Sequence, residues 1–217
     1  MTGKQKKEAR KRILDSAISL FARKGYAAVG VREIAQEAEV NISMISYYFG
    51  GKAGILKTII NEFHNQYYRV ITDAIDDSKP PEECLRLIIR RIISFVRINT
   101  EITMVAFNTL PLDIPGITDI QAGRVIEMLE GINSLCRRFD MDPNDPFPIS
   151  IIGPAMLSTI LSHFRLKPVQ KNIFGFEFDH AFYERYARTI ETLFLYGITG
   201  IAAQSKKAKG DKNETDC

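Results

Sequence analysis

Residues 31–56, VREIAQEAEVNISMISYYFGGKAGIL, decide the fold. Ile34, Ala35 and Ala38 recur at helical spacing, so one face of a short helix is apolar. Glu39 and Val40 make a turn. Asn41 is a residue type that caps a helix start, because its side-chain oxygen accepts an orphan backbone N–H. Ile45 and Phe49 lie one turn apart and bury with Val40. The opposite face carries Ser43, Met44, Tyr47 and Tyr48, with Ile42 and Ser46 at its edges. Gly50-Gly51-Lys52 then leads into a further helix. Two short helices joined by a tight polar break form a helix-turn-helix pattern, whose second helix enters the DNA major groove.

The residue types on that outer face suit such a partner. A tyrosine hydroxyl can bond a phosphate oxygen, and its ring can lie against sugar or base. Ile42 and Met44 offer no donors, so they suit thymine methyl groups. Arg32 and Lys52 supply cations for the backbone. The candidate DNA-binding residues are Arg32, Asn41, Ile42, Ser43, Met44, Ser46, Tyr47, Tyr48 and Lys52. Taken alone, Tyr47 and Tyr48 also fit two ordinary half-buried aromatics; the surrounding pattern favours DNA.

From about Arg12 to Leu56 the chain resembles the TetR family of regulators. The resemblance covers ILDSAISLFARKGYAAVGVREIA, the turn, and YYFGGKAGIL. The Phe-Ala-x-x-Gly-Tyr ending of the family's first helix is matched by Phe21, Ala22, Gly25 and Tyr26. The aromatic-aromatic-Phe-x-x-Lys signature is matched by Tyr47, Tyr48, Phe49 and Lys52. Three positions depart. Val29 and Gly30 stand where the family often has hydroxyl residues, which weakens the cap of the second helix. Glu39 replaces the usual turn glycine. Ser46 replaces a common tyrosine, which removes one expected phosphate contact.

Composition agrees with a cytoplasmic regulator. The chain of 217 residues is 45% apolar and 25% charged, as in a globular protein, and is long enough for a small domain plus a larger one. Its apolar runs are too short to span a bilayer, and the basic N-terminus has no apolar signal core. Cys84, Cys136 and Cys217 are too few and too scattered for a disulfide framework or a zinc site, which suits a reducing cytoplasm. Charge is uneven. Residues 1–60 hold eleven Lys or Arg against five acids, a net of +6, so the remainder carries −3 of the chain's +3. A basic head on an acidic body is the footprint of a polyanion-binding domain joined to an effector domain.

The chain reads as all-α throughout. Helices are expected at 6–24, 53–76, 81–99, 101–109, 119–139, 149–166 and 178–203, besides the two of the helix-turn-helix. Gly25 stops the first of them as a left-handed cap. Pro80 and Pro81 separate the second and third of these seven segments. Loops are expected at 111–117 and 140–148. The expected organisation is an N-terminal three-helix DNA-binding domain at 1–52, a helical effector-binding and dimerisation domain at 53–203, and a polar, unstructured tail at 204–217.

No catalytic, metal or cofactor chemistry is expected. The Asp140–Asn144 stretch opens like a calcium loop, but the sixth position is Asp145 and the twelfth Ile151. Gly50-Gly51-Lys52 lacks the upstream glycine and strand of a phosphate loop. His64, His163 and His180 have no ligating partners at metal spacing. The second domain is therefore expected to bind rather than transform. The resemblance implies a homodimer through the last two long helices, a double-stranded operator as partner, and a small-molecule cavity among the middle helices. Phe63, Tyr67, Phe95, Met104, Phe107, Met128 and Met156 are candidates to line that cavity, since aromatics and methionines suit an apolar, adaptable pocket. Arg97, Asn99, Thr103 and Asn108 could orient a ligand. The same stripes also fit plain core. Two rival readings remain. One is a DNA-binding dimer governed by a protein partner, which a thermal-shift ligand screen separates. The other is an enzyme with a DNA-binding head, which would need a catalytic cluster within 80–200.

Overall fold

The structure, a computed structural model, describes residues 3–108, 114, 116–139, 141, 145 and 147–214; for 3, 4, 108, 148, 149 and 198–214 it describes the backbone only. Among them regular structure is entirely helical: α1 (Gly3–Lys24), α2 (Val31–Glu37), α3 (Ser43–Phe49), α4 (Lys52–Thr72), α5 (Pro81–Ile98), α6 (Thr100–Asn108), α7 (Ile117–Arg138), α8 (Phe147–Phe174) and α9 (His180–Glu214). The expected loops at 111–117 and 140–148 fall mostly outside the described residues. Two compact units emerge, one of residues 1–69 with 95–131, the other of 70–94 with 132–217.

The first unit is built on one apolar cluster. Ile13, Ala17, Leu20 and Phe21 of α1 meet Ile34 and Ala35 of α2, Ile45 of α3, and Ile55, Leu56, Ile59 and Ile60 of α4. Val105 of α6 and Ile117 of α7 belong to the same cluster. The head expected to end at residue 52 therefore shares its core with residues well beyond it. Short helices such as α2 and α3 have too few internal hydrogen bonds to persist alone, and this burial holds them. Gly25 has φ +79 and its N–H bonds Phe21 O at 2.9 Å, so it ends α1 as a left-handed cap. Arg23 pairs with Glu37 at 3.6 Å and Lys24 with Glu33 at 2.5 Å, joining α1 to α2. The Lys24 hydrogen bond is the main cause holding the Glu33 carboxyl below its ordinary pKa.

The second unit packs the first part of α5 with α8 and α9. Ile88, Ile89, Ile92 and Ile93 of α5, Met156, Leu157, Ile160 and Leu161 of α8, and Tyr183, Ala187 and Ile190 of α9 are all buried. One carboxylate is buried with them. Glu191 lies 2.7 Å from Arg90 Nε and 3.4 Å from Arg86 Nη1, and Arg90 also reaches Glu184 at 2.9 Å. Two α5 guanidiniums thus offset the desolvation of an α9 carboxylate, which would otherwise be prohibitive. His163 of α8 is also buried. It is ringed by Phe164, Phe178, Phe182, Tyr183 and Tyr186, with centroid distances from 4.7 to 5.7 Å. Its Nδ1 meets Gln170 Oε1 at 2.7 Å.

Two helices run longer than their patterns suggest. α8 continues past the expected end at 166 to Phe174, with Pro154 and Pro168 inside it. Pro168 removes one N–H donor and crowds the preceding turn, and the turns beyond it are mostly exposed, so packing within the protomer does not account for the continuation. Helical backbone in α9 reaches Glu214, where the polar composition predicts an unstructured tail. A break at Gly197 (φ 69, ψ −164) divides it.

Candidate nucleic-acid interface and effector region

The turn between α2 and α3 is set by local bonds. Asn41 Oδ1 accepts the Ser43 N–H at 2.9 Å and the Ser43 hydroxyl at 2.8 Å, so Asn41 caps α3 from just before its first turn. The start of α2 has no such device: its cap residue is Gly30, with no side-chain hydrogen bond. Glu39 takes φ +52, a left-handed conformation that explains why glycine is usual there. Arg12 Nη2 donates to its carbonyl at 3.5 Å, tying α1 to the turn.

The helix α3 buries Ile45 and half-buries Val40 and Phe49 beside it, as the pattern predicts. Outward it presents Ser43, Ser46 and Tyr47, the last 71% exposed, with Ile42 at its start 43% exposed. Tyr48 is different. Its ring packs edge-on to Tyr47 at 4.9 Å and lies half-buried against the head core. Met44 likewise packs on that core, so it presents less of its side chain outward than the pattern suggests. Arg32 is exposed on α2.

Lys52 is half-buried and engaged. Its Nζ sits 4.2 Å from the Tyr26 ring centroid and 3.5 Å from Ala27 O, and burial lowers its pKa. This cation holds the start of α4 to the α1–α2 loop. Gly54, which pattern reading passed over, matters to the same junction. A Cβ there would overlap the Phe49 carbonyl oxygen and lie 2.8 Å from its carbon. Only a residue with no side chain lets α3 end so close to α4, a contact no sequence spacing reveals.

In the same unit Phe63, Tyr67 and Phe95 form a buried aromatic cluster. Phe63 stacks on Tyr67 at 5.5 Å, and Phe95 lies 5.9 and 6.3 Å from the two. Burial pushes the Tyr67 hydroxyl far above its ordinary pKa. Met104, Phe107 and Met128 are half-buried in this unit, whereas Met156 belongs to the other. The polar candidates are spent locally: Thr103 Oγ1 donates to Asn99 O at 2.7 Å, and Asn99 Nδ2 to Phe95 O at 3.0 Å. Arg97 is exposed, and the Asn108 side chain lies outside the described residues. A polar link between α4 and α7 escaped sequence reading because its partners are far apart in the chain. His64 Nε2 meets Gln121 Oε1 at 2.8 Å, and Arg124 donates to Asn61 Oδ1 at 3.0 Å. An open groove of about 520 Å³ runs beside Leu14, Ile18, Glu62, Arg97 and Ile98, separate from the aromatic cluster.

Residues 13–59 match the family described as "Bacterial regulatory proteins, tetR family". Residues 13–59 are a domain of the TetR family. This is a family of transcriptional regulators and not of enzymes. Similar to it are the probable HTH-type transcriptional regulator YttP of Bacillus subtilis (strain 168), 32% identical over 114 residues, 51% of this chain and 55% of that protein, and the HTH-type transcriptional repressor BdcR of Escherichia coli (strain K12), 30% identical over 83 residues, 38% of this chain and 42% of that protein. The chain thus spans about half the length of the curated relatives it matches. Among solved structures, the regulator FadR of Bacillus subtilis in complex with stearoyl-CoA has a TM-score of 0.66 at 17% identity, covering 87% of this chain and 99% of that one. At that identity the likeness shows the TetR-like fold alone. No helix among the described residues is long and apolar enough to cross a membrane.

Proposed function

We propose that the chain is a cytoplasmic, dimeric repressor that binds a palindromic operator through α3 and is released by a small-molecule effector. The observation that carries the DNA reading is the outer face of α3, where Tyr47 stands 71% exposed between Ser43 and Ser46 on the basic head. With Ile42, Ser43 and Ser46 it makes a mixed apolar and hydroxyl face that suits sugar, phosphate and base edges. Lys6, Lys7 and Arg32 are exposed on the same unit and suit backbone phosphates.

Dimerisation is supported by α8. Ile151, Ala155, Ser158, Ser162, Leu166, Val169 and Ile173 are all exposed and follow one another at helical spacing. The middle is small and the ends are bulky, which suits two copies of the helix crossing closely about a two-fold axis. Leu193 and Phe194 of α9 are half-buried within the protomer and leave part of their surface for the partner. The effector is an apolar molecule received at the Phe63–Tyr67–Phe95 cluster, where His64 and Arg124 lie on the neighbouring α4 and α7 faces. FadR, a protein of the same fold, binds stearoyl-CoA. Release is a population shift: the effector favours a dimer whose reading helices no longer match the half-site spacing.

The test is selection of duplexes from a random pool by the full chain, followed by footprinting and a salt series. A palindromic consensus protected on both half-sites, with affinity falling steeply with salt, is expected. Failure to enrich any duplex, or an asymmetric single-site footprint from a monomer, overturns the reading.

A further inference from the structure

One cation of the basic N-terminal run is engaged within the head, although 44% of its side-chain surface stays exposed. Arg10 lies on α1, upstream of the segment matched to the TetR family. Its guanidinium sits 5.1 Å from the ring centroid of Phe49, the last residue of α3. Its Nη1 is 3.8 Å from Oε1 of Glu62 on α4. All three residues belong to the same compact unit. A guanidinium is planar and broad enough to lie against a ring and pair with a carboxylate at once, which an ammonium is not.

We propose that Arg10 is a positioning residue that fastens the C-terminal end of α3 to α4 and so fixes the direction of the reading face of α3. The helix α3 has only seven residues and cannot hold its own direction. Its start is held by Asn41 and its core side by Ile45. Its end, closed by left-handed Gly50, carries Phe49 under Arg10. This deepens the DNA-binding reading of α3 and rests on it.

The rival role for Arg10 is an ordinary phosphate contact, and Glu62→Gln separates the two. Removing an acid from the head should tighten binding to any duplex if only charge matters. If Glu62 holds Arg10 in place, binding to the operator weakens instead. Affinities are measured by fluorescence anisotropy on the duplex that the wild-type chain itself selects and on an unrelated duplex of equal length. Glu62→Gln and Arg10→Lys, which keeps the charge, are each expected to lose roughly two- to fivefold on the selected duplex and to change little on the unrelated one. The double variant should lose no more than the stronger single one, because both cut the same connection. Amide exchange in the DNA-free protein supplies an independent reading. Glu62→Gln, a surface change on α4, should speed exchange at the C-terminal end of α3. Tighter operator binding by Glu62→Gln, an Arg10→Lys variant equal to wild type, or unchanged exchange in α3 overturns the proposal. A wild-type chain that selects no duplex overturns the DNA reading instead, and the exchange measurement then still decides whether Arg10 holds α3.

Discussion

Gly54→Ala sets two effects of opposite sign against each other. In an exposed helix alanine is favoured over glycine by about 1 kcal/mol, and somewhat less in a first turn such as that of α4. Steric overlap opposes this. The new Cβ would lie 2.8 Å from the carbonyl carbon of Phe49 and 3.6 Å from its Cα, and would overlap the carbonyl oxygen. Relief to an ordinary separation from that oxygen needs the end of α3 to move by roughly 1.5 Å, and overpacking typically costs about 1–3 kcal/mol. The clash wins, and the net loss is about 1–2 kcal/mol, a fall in Tm of roughly 2–8 °C for a chain of this size. The displacement also carries Tyr47 away from its position. Forfeiting a base interaction costs about 1–3 kcal/mol, so operator affinity falls by roughly five- to 150-fold. Gly123 supplies the control, because a Cβ on this exposed α7 residue meets nothing within 4 Å. Gly123→Ala should stabilise by up to about 1 kcal/mol with unchanged DNA binding. Urea and thermal denaturation of both variants, with anisotropy on the selected duplex, decide the matter. If Gly54→Ala proves as stabilising as Gly123→Ala, the close approach of α3 and α4 is not what that glycine serves.

Three further outcomes rest on strain, burial and exposure elsewhere in the chain. Glu39→Gly relieves a left-handed non-glycine residue at φ +52. Part of the gain is returned as unfolded-state entropy, so thermal denaturation should show about 0.5–1 kcal/mol of added stability; a loss would contradict the strain. His163 and His64 are both held below their ordinary pKa, chiefly by burial, so the folded chain resists protonating them while the unfolded chain does not. Stability should be level above about pH 7.5 and decline as pH falls through about 6.5, with a shallower decline in His163→Phe; a urea midpoint unchanged down to about pH 5.5 would refute this. Ser158→Arg places a charge at the small centre of the exposed α8 stripe, where it costs the protomer little because it is solvated. Sedimentation should then show monomer with operator affinity much reduced, and an intact dimer would move the interface elsewhere.

The sequence by itself determined what depends on neighbours a few residues apart. The 3.6-residue period of Ile34, Ala35 and Ala38, the cap at Asn41, the stop at Gly25 and the proline break before α5 are local signals. They were enough for an all-helical chain with a helix-turn-helix head, because a helix forms from its own near neighbours. Other features needed the folded chain. α8 runs through Pro168 although the turns beyond it are mostly exposed, a continuation no local signal announces. Met44 and Tyr48 lean onto the head core instead of standing clear of it. Val105 and Ile117 complete that core from beyond position 100. Lys52 and Arg10 resemble phosphate-seeking cations in the sequence, yet each lies against a ring distant along the chain. Gly54 resembles a weak helix former until the Phe49 carbonyl is set against it. The direction in which a side chain points on a given face, and the backbone that approaches it, are set by packing between residues far apart in the chain. Only the tertiary structure decides those.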